Sequence, residues 1–506
     1  MSRAPRNPWR LEVKNRTTLL ATLLTTLLVH ALAPRARAEE KPYERWYVTQ
    51  MDGKKMGWMR ESLEITPEGY LTAMEMNLRI GRGPGAVAVV LHSEFLETRT
   101  GEPIRMIAKS QMGSSQSSTL YEFGESEVRV EERSAGQELS RTAPLPAGEW
   151  LTPVEAEQYV HARLEAGAKT IVVRSVDALT GLTPTTMTMT VGNQTTVHAM
   201  GKSVPAIEMG IELDTTPGVT QTEFVDLDGN LVRSVTDLGG LSVTILASDR
   251  QTALAEFDAP EMMASTLIKA DRNLDDNMFS RRASFIVRTE KNGLPDLVEG
   301  GAQRVQRLDE NAARVSVNID DPVDVESAEV NPDDYLKATS AVNWRDPMIQ
   351  EIAAQAVEGT ADAPLVQAQA IVRFVSNYIS DKSLDVGFAS ASEVCRTREG
   401  DCSEHAVLVA ALLRANDIPS RVVSGIVYVP EFLGKESVFG YHMWTQGLIE
   451  NQHGINEWID LDAAYPMNAL HIALETSSLS DDDSMNTMVA VARVLGNLSI
   501  QVESVE

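Results

Sequence analysis

The sequence predicts an α+β protein in which a strand-rich region precedes a region where helices come first and strands follow. In residues 44–260, short segments of Val, Ile, Thr and Met are separated by turn residues, which is the pattern of β structure. From residue 345 the apolar residues recur every three or four positions, as on one face of a helix. Because these helices precede the strands instead of alternating with them, the order favours α+β over an alternating parallel sheet.

Changes in composition and period divide the chain into five predicted parts. They are a signal peptide at 1–38, a β-rich N-terminal region at 44–260, a mixed strand and linker region at 261–335, a domain of helices and strands at 340–475, and an acidic loop with a tail element at 476–506. Inside the β-rich region, residues 155–168 are the exception and are predicted to form one helix.

The domain at 340–475 has recognisable helix start signals. Asp346 is a predicted N-cap that is followed by Pro347 at the first helical position, and a second helix starts near Pro364. A third helix is predicted from Cys402 to Asn416. The strands that follow are predicted at residues 421–429, 442–449 and 458–461.

Composition excludes several classes of function. The 506 residues include 45 Lys plus Arg and 72 Asp plus Glu, so the formal net charge is −27. Binding to nucleic acid or to anionic lipid needs clustered basic side chains, so neither is expected as a partner. Two Cys in the whole chain exclude a disulfide-stapled scaffold.

The N-terminus has the order of a secretory signal peptide. A basic segment precedes an uncharged, Leu-rich stretch at residues 17–33, and Ala36 and Ala38 form a cleavage site of the A-x-A type. We therefore expect cleavage, export to the periplasm or the exterior, and no stable insertion in the membrane afterwards. The alternative is an uncleaved segment that anchors the chain in the inner membrane.

Both Cys lie close together, and one of them occupies a position suited to a reactive thiol. Cys402 falls in the first turn of the third predicted helix, whose residues 406–413 are apolar on every side and therefore buried. A free thiol is mostly protonated at neutral pH. The partial positive charge and free N–H groups at a helix N-terminus favour the thiolate instead.

A proton acceptor and an orienting group follow downstream. His442 lies in one predicted strand, and Asp462 comes just after another. If these strands are antiparallel neighbours, His442 and Asp462 face the same side. His442 is then placed to take the thiol proton, and Asp462 to accept the other imidazole N–H and stabilise the imidazolium.

Four segments in this order resemble the transglutaminase-like superfamily, over about residues 340–475. They are Gly-Asp-Cys-x-Glu-His-Ala at 400–406, Ile-Pro-x-Arg-Val-Val-x-Gly at 418–425, His-x-Trp at 442–444 and Trp-x-x-x-Asp at 458–462. The resemblance implies a papain-like α+β fold and a triad of Cys402 as nucleophile, His442 as base and Asp462 as orienting acid. It also implies attack on an amide carbonyl, a thioester acyl-enzyme, and release to water or an amine.

The sequence departs from the family after the orienting acid. Residues 462–464 read Asp-Ala-Ala where the family usually has Asp-Pro-Thr. Asp460 lies two residues away and would share a face with Asp462 in a strand. We prefer Asp462 because of its spacing from Trp458.

The polar and thiol side chains nearby are interpreted as structural. Cys395 is expected to fill an apolar gap, with a Cys395–Cys402 disulfide as the alternative. His405 is expected to be structural, with a role as the base as the alternative, and Glu404 is expected to satisfy loop N–H groups or an Arg. A zinc site from Cys402, His405 and His442 is disfavoured because paired Cys spacing is missing, so no metal or cofactor is expected.

The sequence indicates one donor for the oxyanion and two candidates for a second donor. The backbone N–H of Cys402 is a natural donor. Tyr378 and Asn377 are candidates for the second.

These observations predict an exported cysteine-dependent amide hydrolase or peptidase with a protein or peptide substrate. Hydrolysis is favoured because water is the default acyl acceptor. A protein-crosslinking transglutaminase and a non-catalytic binding module that retains the fold are the alternatives.

Overall fold

The computed structural model describes most of the chain beyond residue 40. The described residues are 41–82, 85–113, 115–134, 137–215, 219–237, 241–261, 263–290, 293–325, 330–339, 341–382, 389–479, 494 and 496–506. The predicted signal peptide and most of the predicted acidic loop lie outside them.

The β-rich region forms one large antiparallel sheet, in which fourteen strands are described. Strands β1 to β8 are a meander, strands β9 to β14 are a second one, and β1 pairs with β14 to join them. Their bounds are β1 Tyr43–Met51, β2 Lys54–Ile65, β3 Tyr70–Arg82, β4 Gly85–Glu97, β5 Pro103–Met112, β6 Ser115–Phe123, β7 Glu127–Ser134, β8 Gln137–Pro144, β9 Thr170–Ser175, β10 Thr185–Ala199, β11 Lys202–Leu213, β12 Thr220–Asp226, β13 Leu231–Asp237 and β14 Ser242–Ser248.

Alternation of apolar and polar side chains gives this sheet a buried face. In β3, for example, Met74, Met76 and Leu78 are buried and belong to one apolar cluster. The predicted helix is present as α1, Pro153–Glu165, and it packs Ala156 and Val160 against the sheet. It begins earlier than predicted because Thr152 caps it and Pro153 fits the first turn.

Three short pieces connect this sheet to the rest of the chain. They are α2 Arg250–Leu254, α3 Met263–Thr266 and β15 Ile268–Lys269.

The C-terminal half contains two further antiparallel sheets. The first has the order β19-β22-β21-β20-β23, with β15 pairing β21, and its strands are β19 Asp324–Val325, β20 Ser420–Phe432, β21 Lys435–Glu450, β22 Asn456–Leu461 and β23 His471–Ser477. The second has the order β17-β18-β16-β24, with β16 Arg282–Thr289, β17 Gln303–Asp309, β18 Ala312–Asn318 and β24 Leu498–Val505.

In the described part of the chain, four helices accompany the first of these sheets, and three of them begin where the sequence predicted. Their bounds are α4 Pro347–Val357, α5 Pro364–Tyr378, α6 Ala391–Thr397 and α7 Cys402–Ala415. Residues 408–413 of α7 are wholly buried, because α4, α5, α6 and β21 all contact this helix. Helices packed on an antiparallel sheet, preceded by a β-rich region, confirm the predicted α+β class.

Candidate active site

The start of α7 holds Cys402 at a fixed point. Asp401 is the N-cap, and its Oδ1 accepts the N–H of Ser403 at 2.8 Å. Glu404 Oε2 in turn accepts the N–H of Asp401 at 3.0 Å, which completes a capping box. Gly400 is required before the cap, because a Cβ there would lie 2.3 Å from the Cβ of Glu404.

The thiol itself is half-buried at the end of a buried helix. The helix N-terminus presents free N–H groups and a partial positive charge, both of which stabilise a thiolate. The sulfur therefore combines solvent access with the electrostatic environment that a nucleophile needs.

Strand pairing brings His442 and Asp462 together. β21 and β22 are antiparallel, with Gln446 opposite Asp460. Asp462 follows the end of β22, and its Oδ2 accepts a hydrogen bond from His442 Nε2 at 2.6 Å. The Cys402 side chain hydrogen-bonds the same imidazole and favours its charged form. The structure thus places the three predicted site residues in one continuous series.

The opposite charges of His442 and Asp462, whose side chains are both buried, shift the pKa values of both groups. Burial lowers the pKa of His442, but the charge and hydrogen bond of Asp462 and the hydrogen bond of Cys402 outweigh it and raise that pKa to about 10. Burial raises the pKa of Asp462, yet the His442 charge and the hydrogen bonds from both neighbouring imidazoles hold it well below its usual range. An imidazolium beside a carboxylate is therefore the resting pair at neutral pH.

The Asp462 carboxylate is held by four donors, which explains why the departure at 463–464 is tolerated. Oδ2 faces His442 Nε2 and His471 Nε2, the latter at 3.3 Å. Oδ1 accepts the N–H of Ala464 at 2.7 Å and of Tyr465 at 3.0 Å. Two of these donors are backbone groups, so the turn orients the carboxylate without a Pro-Thr sequence.

Asp460 has a different set of contacts. Its Oδ1 accepts from Trp444 Nε1 and from Gln446 Nε2, both at 2.7 Å, and its Oδ2 accepts the N–H of Ala302 at 2.9 Å. The Trp444 ring stacks on the His442 ring, with centroids 6.1 Å apart and planes 22° apart. Asp460 thus fixes a ring that packs on His442, while Asp462 contacts His442 directly.

Sequence reasoning missed His471 and Asn468. His471 opens β23, a strand that was not predicted, and its Nδ1 lies 3.1 Å from the Asn468 carbonyl and 3.2 Å from Asn468 Oδ1. The available signal was a His inside the apolar segment 469–473, which is unusual for a buried strand. Only the turn after Asp462 brings that segment back to the site.

The neighbouring groups have structural contacts, as interpreted from the sequence. His405 is buried, and its Nδ1–H donates to the Asp401 carbonyl at 2.6 Å. Burial lowers the pKa of His405. Glu404 is fully buried and also accepts the N–H of Ala389 at 3.0 Å. Burial, followed by the charge of Asp401, raises the pKa of Glu404 to about 8.

The second Cys is separate from the site. Cys395 is buried in the apolar cluster around α7, and burial raises the pKa of its thiol to about 12. Cys395 and Cys402 are both free thiols, so the alternative of a disulfide between them is not realised.

The two candidates for a second oxyanion donor are engaged elsewhere. The Tyr378 hydroxyl donates to the Cys395 carbonyl at 2.9 Å, and Asn377 Nδ2 donates to the Arg373 carbonyl at 2.7 Å. Both residues lie in the last turn of α5, where the nearest free acceptors are helix carbonyls. The expectation for either as oxyanion donor therefore fails on geometry.

The side chains of His442, Asp462 and His471 form a group whose ligand atoms converge closely enough for a metal ion. Among the described residues, their ligand atoms lie within 4.8 Å of one another. A metal would have to displace the proton of His442, whose raised pKa opposes this at neutral pH. Across the residues that the structure describes, no helix is long and apolar enough to cross a bilayer.

Two solved structures resemble parts of this chain at low identity. A beta-barrel-like protein of a domain of unknown function from Brucella abortus is 14% identical, with 43% of this chain and 97% of that chain covered and a TM-score of 0.32. The periplasmic domain of TgpA from Pseudomonas aeruginosa, bound to ethylmercury, is 15% identical, with 37% and 91% covered and a TM-score of 0.23. No curated protein matches this chain.

A family model matches the region that carries the site. Residues 351–463, which include Cys402, His442 and Asp462, match the model of the transglutaminase-like superfamily. Over residues 351–463 the chain is therefore similar to the transglutaminase-like superfamily, and this stretch contains all three residues of the candidate site.

Proposed function

We propose that this protein is an exported cysteine-dependent amide hydrolase that cleaves protein or peptide substrates through a thioester acyl-enzyme. One observation carries the proposal: a half-exposed sulfur at the N-terminus of a buried helix hydrogen-bonds His442, which in turn hydrogen-bonds Asp462 at 2.6 Å. A nucleophile, a base and an orienting acid in contact are the requirements of covalent catalysis on an acyl group.

The first half-reaction forms the acyl-enzyme. In the resting pair His442 already holds the proton of the Cys402 thiol, and the sulfur attacks the amide carbonyl carbon. The negative oxygen of the tetrahedral intermediate is stabilised by the backbone N–H of Cys402. The imidazolium of His442 then gives its Nδ1 proton to the leaving amine, the C–N bond breaks, and a thioester remains.

The second half-reaction releases the acid. His442 is now neutral and takes a proton from water, whose oxygen attacks the thioester carbonyl. The C–S bond breaks, the carboxylic acid leaves, and the pair of Cys402 and His442 is restored. Asp462 keeps the imidazole oriented throughout and stabilises its charged form.

Two further features support the details of the proposal. The sequence of residues 1–38 has the order of a secretory signal, which supports export. The negative formal charge of −27 favours neutral or cationic peptide substrates over acidic ones.

Labelling of the thiol tests whether Cys402 is activated. The purified protein is treated with iodoacetamide at pH 6, and the modified Cys is identified by mass spectrometry. We expect fast labelling of Cys402 in the wild type and in Cys395→Ala, which is the matched control. We expect none in Cys402→Ala, because Cys395 is buried and its thiol stays protonated.

Turnover of amide substrates tests the reaction itself. Release of new N-termini from a peptide library should occur with the wild type and Cys395→Ala, and be lost in Cys402→Ala and His442→Ala while circular dichroism is unchanged. Turnover that survives in either of the latter variants refutes the mechanism. Incorporation of an amine probe in place of hydrolysis would make the protein a transglutaminase and refute the hydrolase.

A further inference from the structure

Asp462 is shared between two imidazoles, of which the proposed reaction uses only one. His442 Nε2 lies 2.6 Å from Asp462 Oδ2, and His471 Nε2 lies 3.3 Å from the same oxygen. The side chains of His471 and Asp462 are 0% and 1% exposed, so water does not separate the two groups. The two rings meet edge to face, with centroids 5.8 Å apart.

Both nitrogens of His471 face oxygen acceptors. Nδ1 is within 3.2 Å of the backbone carbonyl and the side-chain Oδ1 of Asn468. Oδ1 of Asn468 accepts the N–H of Leu470 at 2.9 Å, which identifies that atom as the oxygen of the amide. Nε2 faces the ionised Asp462. An ionised carboxylate oxygen can only accept, so the contact with Asp462 Oδ2 is made by an N–H on His471 Nε2.

We propose that His471 is a positioning residue that donates a second hydrogen bond to Asp462 Oδ2 and thereby weakens the hold of that carboxylate on the His442 proton. The catalytic consequence rests on the proposed function. His442 has to return its proton to the leaving amine, and a base that holds the proton too tightly is a poor acid at neutral pH. His471 shares the charge of Asp462 and so brings His442 closer to a two-way proton carrier.

Other titratable groups lie around His442 and His471. From α7, Cys402 contacts His442, and Asp462 also acts electrostatically on His405. From the turn after β22, Asp462 and Tyr465 face both imidazoles, and the Tyr465 ring lies 6.2 Å from His471 and 6.3 Å from His442. Burial raises the pKa of Tyr465 above that of an ordinary tyrosine.

The test measures the proton affinity of His442 directly, without any substrate. The imidazole ¹⁵N signals of the full-length protein are followed from pH 6 to pH 11 by NMR, and His442 is assigned by its loss in His442→Gln. In His471→Leu, which has no donor, we expect the titration midpoint of His442 to move to higher pH. In His471→Gln, whose amide N–H reaches the place of Nε2, we expect a smaller shift of the same sign.

Turnover provides the second readout. At pH 7 we expect amide hydrolysis to fall about tenfold in His471→Leu, as partial loss of general acid catalysis predicts, and to recover in His471→Gln. Iodoacetamide labelling of Cys402 should persist in both variants, because it needs no proton return. A role limited to packing would lower the melting temperature without moving the His442 midpoint.

The outcomes separate this inference from the proposed function. A His442 midpoint that is the same in the wild type and in His471→Leu overturns the inference, whatever the turnover. If His471→Leu does not fold, His471→Met, which also lacks a donor, replaces it, and an unshifted midpoint in that variant has the same meaning. A shifted midpoint in a protein that hydrolyses no amide supports the inference and refutes the hydrolase.

Discussion

At the scale of single residues, the site depends on which of two neighbouring acids contacts the imidazole. Asp460 and Asp462 are two residues apart in the chain. Asp462 accepts from His442 Nε2 at 2.6 Å, whereas Asp460 accepts from Trp444 and Gln446. The contact with Asp462 fixes the His442 tautomer in which Nε2 carries the proton and leaves Nδ1 toward the sulfur.

Replacing each acid by its amide distinguishes these roles. In Asp462→Asn the amide N–H₂ competes with the His442 N–H, so the wrong tautomer is favoured, and we expect kcat to fall about 10³–10⁴-fold. In Asp460→Asn we expect a fall of less than about tenfold, because only the support of Trp444 changes. Steady-state hydrolysis measures both. Equal losses in the two variants would contradict the assignment of Asp462.

At the scale of elements, the start of α7 carries the half-buried Cys402 thiol and a buried acid, Glu404. Glu404 accepts hydrogen bonds from the N–H groups of Ala389 and Asp401, and from the Ser403 hydroxyl at 3.1 Å. Burial and the charge of Asp401 raise the pKa of Glu404 to about 8, above the ordinary value of about 4.3. The folded chain therefore keeps this carboxyl protonated at pH values where the unfolded chain ionises it.

This difference predicts how stability depends on pH. Because the folded state binds the extra proton, the free energy of unfolding falls as pH rises from about 4.3 to about 8, and this contribution is constant above that range. Glu404→Gln keeps a neutral side chain of the same shape, so we expect a flatter profile over the same range. Urea denaturation of both proteins from pH 4.5 to pH 8.5 measures it. The exposed Glu399→Gln is the control, and parallel profiles for the wild type and Glu404→Gln would contradict the prediction.

At the scale of the whole molecule, the last strand supports the sheet that carries the site. β24 pairs with β16, and its Leu498, Ile500 and Val502 are buried in the cluster that also contains Ile426 and Ile472 of the sheet around His442. The chain's C-terminal residues are therefore part of the support of the site, although no segment of β24 contacts it.

A cavity in this cluster should weaken the C-terminal half. Ile500 is 5% exposed, so Ile500→Ala removes buried methyl and methylene groups, and we expect it to lower the free energy of unfolding by about 2–4 kcal/mol. Gln501 is exposed on the other face of β24, and Gln501→Ala is the matched control with a change within about 0.5 kcal/mol. Chemical denaturation followed by Trp fluorescence tests the difference. A similar loss in both variants would show that packing of this face is not the cause.

The parts of the fold that follow from local chemistry were predictable. Asp346 caps α4 and Pro347 begins it, as the sequence indicates, because capping needs only neighbouring residues. The predicted strands around His442 are present as β21 and β22, and their antiparallel pairing gives the expected shared face. β24 was missed, because its polar and apolar alternation is short and its partner β16 lies about two hundred residues earlier.

The sequence by itself determined the fold class, the similarity of residues 351–463 to the transglutaminase-like superfamily and the position of Cys402 at a helix start, since periodicity, caps and motif spacing are local properties. Only the tertiary structure decided that His442 meets Asp462 and not Asp460, and that His471 shares the same carboxylate oxygen. The physical reason is that these contacts depend on sheet register and on the turn after β22. Register and turn bring residues together in space, and the separation of those residues in the sequence does not indicate how close they are.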